Sequence, residues 1–323
     1  MEHGGFTGLL KKITSLKNKF IVIRNLIFYC LLVSFFAGCS SSHTRKDIDT
    51  VKSGTIHISV DETFKPVIDS QIQVFESLFP QAKVLAEYKP EAECLKDLMK
   101  DSTRLIIITR GLDSAEQLFY KNRLKYNANF DKVANDAVAV IVNQNASDSI
   151  FTINKLRGII DGSTADKQVA VLDGLSATST VRFVVDSILK GKPFAKNKLK
   201  AAKSSLEVIN YVAENPNAIG FLGVGWIGNK EDTSQLTFLK KVRIAPLECR
   251  CAEKTFVKPF QYNIMTRRYP LVRGLYYILK ENYDGLGSGF TNFLMDERGQ
   301  LVFKRAYLGP SKLNFSVRTA TSN

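Results

Sequence analysis

Hydrophobic and polar residues follow two different periods along the chain after residue 53. Short apolar or alternating runs between turn residues predict β-strands. These strands cover residues 55–60, 84–88, 105–108, 137–142, 169–172 and 218–222. Apolar residues that recur every three or four positions predict helices over residues 66–79, 92–100, 113–124, 153–160, 180–189 and 206–212, and after Pro270 over 272–279 and 290–295. Strands that alternate with helices in this way predict an α/β fold with parallel sheets.

Local residues predict how two of these helices begin. Asp113 and Glu116 have the spacing of a capping box, in which each side chain bonds the backbone N–H of the other residue. Ser179 or Thr180 is the expected cap of the helix that follows, because a hydroxyl oxygen there accepts an N–H of the first turn.

The first 38 residues have the pattern of a bacterial signal peptide. Basic residues precede an apolar run over 26–37, and this run is shorter than the roughly 20 residues of a membrane-spanning helix. Small residues before Cys39 and three serines after it resemble the lipobox of bacterial lipoproteins, where the cysteine thiol receives a diacylglycerol and becomes the new N-terminus. We therefore expect a lipid anchor at Cys39 and a polar tether over 39–53. An ordinary cleaved signal peptide and a short uncleaved anchor are the alternatives.

The chain carries a basic excess. It has 45 Lys and Arg against 31 Asp and Glu, for a net charge of +14. The segment before Cys39 holds five bases and one acid, so its removal leaves about +10. This charge suits an anionic partner. The bases are scattered rather than clustered with aromatic residues, which argues against nucleic acid.

Cysteine and histidine usage argues against an enzyme and against a metal or cofactor site. Beyond the leader the cysteines are Cys94, Cys249 and Cys251, an odd number, so at least one thiol is free or pairs between molecules. The pair Cys249 and Cys251 does not have a zinc spacing. The three histidines are His3, His43 and His57. Only the last lies in the fold, and no nucleophile–base pair is visible.

Six blocks of sequence, in order, resemble the phosphate-binding receptors of ABC importers, a branch of the periplasmic binding proteins. The blocks are residues 54–66, 109–112 (where the family often has Ser-Arg-Pro-Leu), 136–143, 179–183 (where it has Ser-Gly-Thr-Arg), 215–221, and 269–273 with 299–300. The resemblance implies a two-lobe periplasmic binding protein-like fold with two inter-lobe crossings and a ligand between the lobes. We expect lobe one to comprise residues 54–138 and 256–323, and lobe two residues 139–255.

The resemblance and the physics of helix ends together place the candidate ligand-binding residues on three loops. Free N–H groups and the helix dipole favour anions at helix N-termini, beyond the carboxyl ends of parallel strands. Residues 60–65, 109–113 and 173–180 each run from a strand through a polar loop into a helix. The expected ligand-binding residues are Asp61, Glu62, Thr63, Thr109, Arg110, Ser179, Thr180 and Arg182.

Each of these residues also has a purely structural interpretation. For Thr63 and the acids before it, the alternative is capping of the next helix, and the same holds for Ser179 and Thr180. Arg110 is the strongest single candidate for an anion ligand, because its planar fork can bond two oxygens, and its alternative is an exposed loop arginine. Arg182 alternatively pairs with an acid across the lobes.

Three departures from the family pattern bear on the ligand. Thr180 and Val181 replace Gly and Thr, which removes one hydroxyl donor and adds bulk. The arginine that the family places four residues before the serine would fall at Leu175 and is absent. A protonated phosphate needs one acceptor for its own proton, whereas Asp61 and Glu62 provide two adjacent acids.

The resemblance implies a lipid-anchored extracytoplasmic receptor that captures phosphate or a related oxyanion for an ABC permease. Such a receptor binds without chemistry, as a monomer, and needs no cofactor. The alternative is an envelope lipoprotein of the same fold whose altered site makes it a sensor or an interaction module. A phosphatase is a third hypothesis, which has no catalytic residues to support it.

Overall fold

The computed structural model describes residues 49–174, 177–229 and 231–312, and the chain from Asp49 onward forms a compact unit of its own. The predicted lipidation site, Cys39, lies outside the described residues. Within the described ranges, none of the helices has the length and apolar character needed to cross a membrane.

Strands and helices alternate over most of the chain. The strands are β1 (Gly54–Asp61), β2 (Ala82–Lys89), β3 (Leu105–Ile108), β4 (Asn129–Asn143), β5 (Val169–Leu172), β6 (Leu199–Ala201), β7 (Ala218–Gly223), β8 (Val242–Ile244), β9 (Leu247–Glu248), β10 (Phe256–Val257), β11 (Val272–Leu279) and β12 (Gly309–Pro310). The helices are α1 (Lys65–Leu78), α2 (Glu91–Leu98), α3 (Ser114–Leu124), α4 (Ile153–Ile160), α5 (Ser179–Val184), α6 (Ser205–Glu214), α7 (Thr233–Leu239), α8 (Gln261–Met265), α9 (Leu286–Met295) and α10 (Glu297–Arg305). A π-helical turn over Val185–Leu189 continues α5.

The sheet has two parallel sets of strands joined by an antiparallel centre. Strands β2, β1 and β3 are parallel, as are β7, β5 and β6, and the hydrogen-bonded order is β2-β1-β3-β11-β4-β7-β5-β6. We refer to β2, β1, β3 and β11 with helices α1–α3, α9 and α10 as lobe one. Lobe two consists of β7, β5 and β6 with α4–α6. This mixed arrangement confirms the predicted α/β class.

Strand β4 connects the two lobes. Its residues 129–137 pair with β11, while residues 138–142 pair with β7. The chain later returns from lobe two to β11, so it crosses between the lobes twice. The exact chain boundaries expected for the lobes stay predictions.

The helix predicted over 272–279 is wrong, because this segment is β11. Arg273, Leu275 and Tyr277 are buried on one face, while Val272 and Gly274 are half-buried on the other. The strand bonds to β3 on one side and to β4 on the other. The strand is hidden in the sequence because the buried position 273 holds an arginine, while the apolar residues at 272, 275, 276 and 279 also satisfy a helical spacing.

The predicted capping box is confirmed, but the predicted cap of α5 is wrong. Asp113 and Glu116 exchange the two expected side-chain to backbone bonds at the start of α3. Thr178, rather than Ser179 or Thr180, caps α5, and its hydroxyl oxygen accepts the Val181 N–H at 3.2 Å. Ser179 and Thr180 therefore occupy the first helical turn, which leaves their hydroxyls to side chains of the cleft.

Candidate ligand-binding site between the lobes

Three loops meet where the parallel strands of both lobes end. They follow β1, β3 and β5, and each leads into a helical segment, as expected for the carboxyl edge of an α/β sheet. Two further side chains reach the same place from the centre of the sheet, Asp136 on β4 and Arg273 on β11. We use the name cleft cluster for Asp61, Thr63, Asp136, Asp173, Ser179, Thr180 and Arg273, all of which are buried.

Arg273 is the central cation of the cleft cluster. Its Nε donates to Asp136 Oδ2 at 2.8 Å, and its Nη1 donates across the lobes to Ser179 Oγ at 3.1 Å. The guanidinium lies 5.3 Å from the ring centre of Phe64 and 5.9 Å from that of Phe183. Its third nitrogen, Nη2, is buried and has no hydrogen-bond partner among the described residues.

Two buried acids beside Arg273 each keep one oxygen free of hydrogen bonds within the described structure. Asp61 Oδ1 accepts the Thr63 N–H at 3.0 Å, while Asp61 Oδ2 and Asp136 Oδ1 have no partner there. Burial raises the pKa of Asp61 to about 6, although the charge of Arg273 opposes this shift. Burial also raises the pKa of Asp136 against the opposing charge and hydrogen bond of Arg273. These two carboxyl groups therefore hold protons more readily than exposed acids do.

Asp173 and the threonines of α5 form the lobe-two side of the cluster. Asp173 Oδ1 accepts the Thr178 hydroxyl at 2.9 Å, and its Oδ2 accepts the Thr180 hydroxyl at 3.4 Å. Burial raises the pKa of Asp173. The hydroxyls of Thr63 and Thr180 face each other across the lobes at 3.5 Å.

A glycine at the end of β7 allows this strand to lie close to the loop that follows β1. A Cβ atom on Gly223, the last residue of β7, would lie only 2.6 Å from the side-chain methyl carbon of Thr63. The end of β7 can therefore approach the β1 loop because the residue there has no side chain. The indole N–H of Trp226, just beyond β7, donates to the Thr63 carbonyl at 2.9 Å.

A second ionic contact joins the lobes through Glu91 at the start of α2. Its Oε1 accepts the Thr109 N–H at 3.0 Å and the Thr109 hydroxyl at 2.5 Å, while Arg182 Nε donates to its Oε2 at 2.9 Å. Arg182 Nη2 also donates to the Thr109 hydroxyl at 2.6 Å. Burial tends to raise the pKa of Glu91, but the bonds and charge of Arg182 outweigh it and the pKa is lowered. The structural alternative for Arg182, an acid across the lobes, is thus the contact observed.

Glu62 forms a third contact between the lobes. Its carboxylate accepts the Ser205 hydroxyl at 2.8 Å and the Ser205 N–H at 3.2 Å, at the first turn of α6. Burial raises the pKa of Glu62 to about 7, although the hydroxyl bond from Ser205 opposes the shift. Glu62 is therefore a titratable link between the lobes near neutral pH.

Arg110 is bonded within its own loop. Its Nη1 and Nη2 donate to the two carboxylate oxygens of Glu116 at 2.6 and 2.8 Å, and Nη1 also donates to the Gly111 carbonyl. Glu116 is the same residue that completes the capping box of α3. The bidentate pair holds the guanidinium fork, so an anion contact by Arg110 would require this pair to open, and the ligand role stays a prediction.

The structure brings seven of the eight sequence-predicted residues to contacts between the lobes or into the cleft cluster. Four charged residues of the same region were not predicted: Glu91, Asp136, Asp173 and Arg273. Asp136 and Arg273 both lie within blocks of the family resemblance, and this was the sequence feature that could have marked them as site residues. Neither residue lies on a loop between a strand and a helix, which is the position that marks the other candidates in the sequence.

The described part of the chain contains no group of three or more His, Cys, Asp or Glu residues that could hold a metal ion. Two guanidinium groups, of Arg182 and Arg273, face five carboxyl groups. The carboxyl groups belong to Asp61, Glu62, Glu91, Asp136 and Asp173.

Two lobes that share a central strand and enclose a polar cleft define the class of two-lobed binding proteins. The profile of the PBP superfamily domain matches residues 46–298. The chain belongs to this superfamily of periplasmic binding proteins, which confirms the fold inferred from the sequence blocks. A comparison with curated proteins gave no significant match.

Several solved structures share the fold at low sequence identity. A putative phosphate ABC transporter substrate-binding protein from Clostridium perfringens, with bound phosphate, is 18% identical with a TM-score of 0.66, over 80% of this chain and 100% of that one. An ABC-type phosphate transport receptor from Vibrio cholerae is 20% identical with a TM-score of 0.57, over 80% and 100%. The regulatory domain of Synechocystis CcmR in complex with 2-PG is 13% identical with a TM-score of 0.52, over 75% and 96%. The fold thus serves both transport receptors and regulators.

Proposed function

We propose that this protein is an extracytoplasmic receptor that captures a protonated oxyanion, phosphate above all, in the cleft between its lobes. One observation carries the proposal. Three buried atoms, Arg273 Nη2, Asp61 Oδ2 and Asp136 Oδ1, have no hydrogen-bond partner among the described residues. Buried polar groups without partners are costly, so this trio calls for a ligand that both accepts and donates hydrogen bonds.

Dihydrogen phosphate has the required combination. Its charged oxygens accept from a guanidinium and from hydroxyls such as that of Ser179, while its two hydroxyl groups donate to carboxylates. Sulfate carries no proton near neutral pH and would place an oxygen against Asp61 and Asp136 without a bond. Asp61 and Asp136 are thus the proposed source of selectivity.

The resemblance supports a role in transport. The phosphate receptors named above share the fold. We propose that the receptor is monomeric, binds no nucleic acid, catalyses no reaction and delivers its ligand to an ABC permease. Lipidation of Cys39, with a tether over 39–53, would hold it on the outer side of a membrane.

Replacement of Arg273 by lysine tests the site directly. Lysine keeps the charge but lacks the planar guanidinium, whose several N–H groups can bond Asp136, Ser179 and the ligand at the same time. Loss of a charged hydrogen bond costs about 1.5–3 kcal/mol, so calorimetry should show phosphate affinity lower by one to two decades. Arg298→Lys, at an exposed position of α10, is the matched control. Equal affinity in the Arg273→Lys variant and the wild type would contradict the proposal.

A second candidate function is an interaction or sensor module whose cleft is closed by its own side chains. The observation in its favour is that the Glu91 carboxylate already accepts hydrogen bonds from Arg182 and from the N–H and hydroxyl of Thr109. An acid held in this way satisfies donors that would otherwise serve a soluble anion. It also closes the lobes without a ligand.

The variant Glu91→Ala separates the two candidates. If the cleft is permanently self-occupied, wild-type protein should bind no oxyanion, and Glu91→Ala should acquire phosphate binding that calorimetry detects. If the protein is a phosphate receptor, the wild type binds already. Glu93→Ala, an exposed acid on the same helix that pairs with Lys96, controls for the change in net charge.

A further inference from the structure

A disulfide bridge joins Cys249 and Cys251 in the turn between β9 and β10. The two Cα atoms are 5.1 Å apart, within the usual range for a disulfide. Cys249 is buried, whereas Cys251 is exposed to solvent. The third described cysteine, Cys94, is a buried free thiol whose pKa is raised by burial.

Stability does not account for this bridge. It encloses a single residue, and the entropy removed from the unfolded chain by a disulfide is smallest for the shortest loops. The hairpin is also held without it, because Glu248 pairs with Phe256 in the ladder and the Cys249 N–H donates to the Thr255 carbonyl at 2.6 Å. The bridge therefore adds little to a turn that the backbone already closes.

The surroundings of the bridge favour thiol–disulfide exchange. The Cys251 N–H donates to Cys249 Sγ at 3.0 Å, a bond that stabilises a thiolate on Cys249 as the leaving group. Arg250 lies between the two cysteines, and its backbone N–H is bonded to the Arg268 carbonyl. The exposed sulfur of Cys251 is thus open to attack, and the sulfur that leaves is the one with a hydrogen-bond donor.

A cavity of about 280 Å³ lies beside the bridge. Cys249 and Arg250 form one wall, and Lys190, Ser187 and Asn154 from lobe two form another. The cavity is large enough for part of a small peptide-like molecule, and its two cations suit carboxylates. One acid, Glu248, also lines it.

We propose that Cys249 and Cys251 are a redox-active pair that exchanges with an anionic low-molecular-weight thiol whose carboxylates bind in this cavity, beside Cys249, while its sulfur attacks the exposed Cys251. A thiolate of the small molecule attacks Cys251 Sγ, the bond between the cysteines breaks, and Cys249 leaves as the thiolate. A second small thiol then attacks the mixed disulfide, which releases the oxidised small-molecule disulfide and the Cys251 thiolate. Two electrons and two protons pass from the two small thiols to the pair. The reverse reaction restores the bridge.

Exchange with glutathione as the probe tests the proposal in the full chain. Native protein is incubated with glutathione, quenched with an alkylating reagent and weighed by mass spectrometry. We expect two new thiols at about 10 mM glutathione, with Cys94 unlabelled as the internal sign that the fold is intact. A bridge that resists glutathione in the native protein, or a protein isolated without the bridge, would overturn the proposal.

Two sets of variants test the order of attack and the recognition of charge. In oxidised glutathione, Cys249→Ser should form a mixed disulfide on Cys251 at least about tenfold faster than Cys251→Ser forms one on Cys249. Lys190→Glu should slow exchange with glutathione about threefold or more but leave the uncharged 2-mercaptoethanol unaffected, whereas Lys192→Glu, outside the cavity lining, should change neither. Equal rates for the two serine variants, or equal loss with both thiols, would refute the mechanism.

Discussion

Arg273 is a buried cation whose partners come from both lobes. Removing one member of a buried ion pair leaves the other charge without compensation and typically costs about 3–5 kcal/mol. Asp136 shares this pair from β4, and both side chains are almost completely buried. Desolvation of both charges offsets much of the stability that a buried ion pair provides. We therefore assign Arg273 and Asp136 to the proposed ligand recognition rather than to packing.

The titration of Asp61 predicts a pH-dependent stability. Its pKa is raised by burial from 3.8 to about 6, so between these values the folded state holds more protons than the unfolded chain. The free energy of unfolding should therefore fall as the pH rises through this window, and Glu62 extends the fall to about pH 7. Urea unfolding at several pH values should show this slope, and Asp61→Asn should reduce it.

Asp101→Asn is the control for this measurement. The side chain of Asp101 is fully exposed, so its removal should leave the slope as it is in the wild type. A slope between about pH 4 and pH 6 that Asp61→Asn does not alter would contradict the burial of an acid in the cleft.

The sequence showed the residues of the loops more clearly than those of the sheet. Thr63, Ser179 and Thr180 lie where a polar loop leads into a helical segment, so local pattern and family blocks both mark them. Arg273 and Asp136 lie within strands, and only the pairing of β4 with β11 brings them together. That pairing joins residues far apart in sequence, which local periodicity does not reveal.

At the level of elements, the first turn of α5 determines where two hydroxyl groups of the cleft lie. Thr178 caps this helix, and its hydroxyl also donates to Asp173 at the start of the preceding loop. Because the cap fixes the direction in which the helix leaves the loop, it fixes Ser179 and Thr180 as well. A helix cap here serves both stability and the site.

Loss of this cap should affect stability and binding together. Thr178→Ala should lower the free energy of unfolding by about 1 kcal/mol and also weaken phosphate binding, since Ser179 and Thr180 lose their fixed position. Thr152→Ala removes an equivalent cap from α4, where the hydroxyl oxygen accepts the Lys155 N–H at 3.0 Å away from the cleft cluster. Calorimetry and urea unfolding of both variants should show similar destabilisation but weaker binding only for Thr178→Ala. Equal phosphate affinity in the two variants would show that the cap does not position the binding residues.

The elements themselves were predicted to different degrees. Helix α3 and the buried strand β3 were recognisable because a capping box or a continuous apolar run marks them. Strand β4 is longer than the segment predicted over 137–142, because its first half contains charged residues that read locally as a loop. Strand β11 has a spacing that predicts a helix, because an arginine at the buried position 273 interrupts the apolar alternation by which strands are recognised.

At the scale of the whole molecule, the two lobes meet through both polar and apolar side chains. Arg182 bonds Glu91, Ser205 bonds Glu62, and Arg273 bonds Ser179. One apolar core cluster contains Val60 and Phe64, at and just after the end of β1, together with Val184 and Phe221 of lobe two. The division into lobes along the chain could be anticipated only through the family resemblance.

The anchor is a prediction about the whole chain. Cys39→Ser removes the proposed acylation site, so metabolic labelling with a radioactive fatty acid should show no lipid on this variant and strong labelling on the wild type. The replacement of Cys30 by serine, within the apolar run of the leader, is the control and should keep the label. Lipid on the Cys39→Ser variant would exclude the lipobox interpretation.

A calorimetric titration of the chain from residue 40 onward with phosphate and sulfate tests the central claim most directly. We predict a dissociation constant for phosphate in the micromolar range or below, about −8 kcal/mol or stronger. Binding should be tighter at about pH 6 than at about pH 8, because phosphate gains its second proton in this range and can then donate hydrogen bonds to both Asp61 and Asp136. Sulfate should produce no heat at the same concentrations. Equal binding of the two anions, or no heat with millimolar phosphate, would contradict the account.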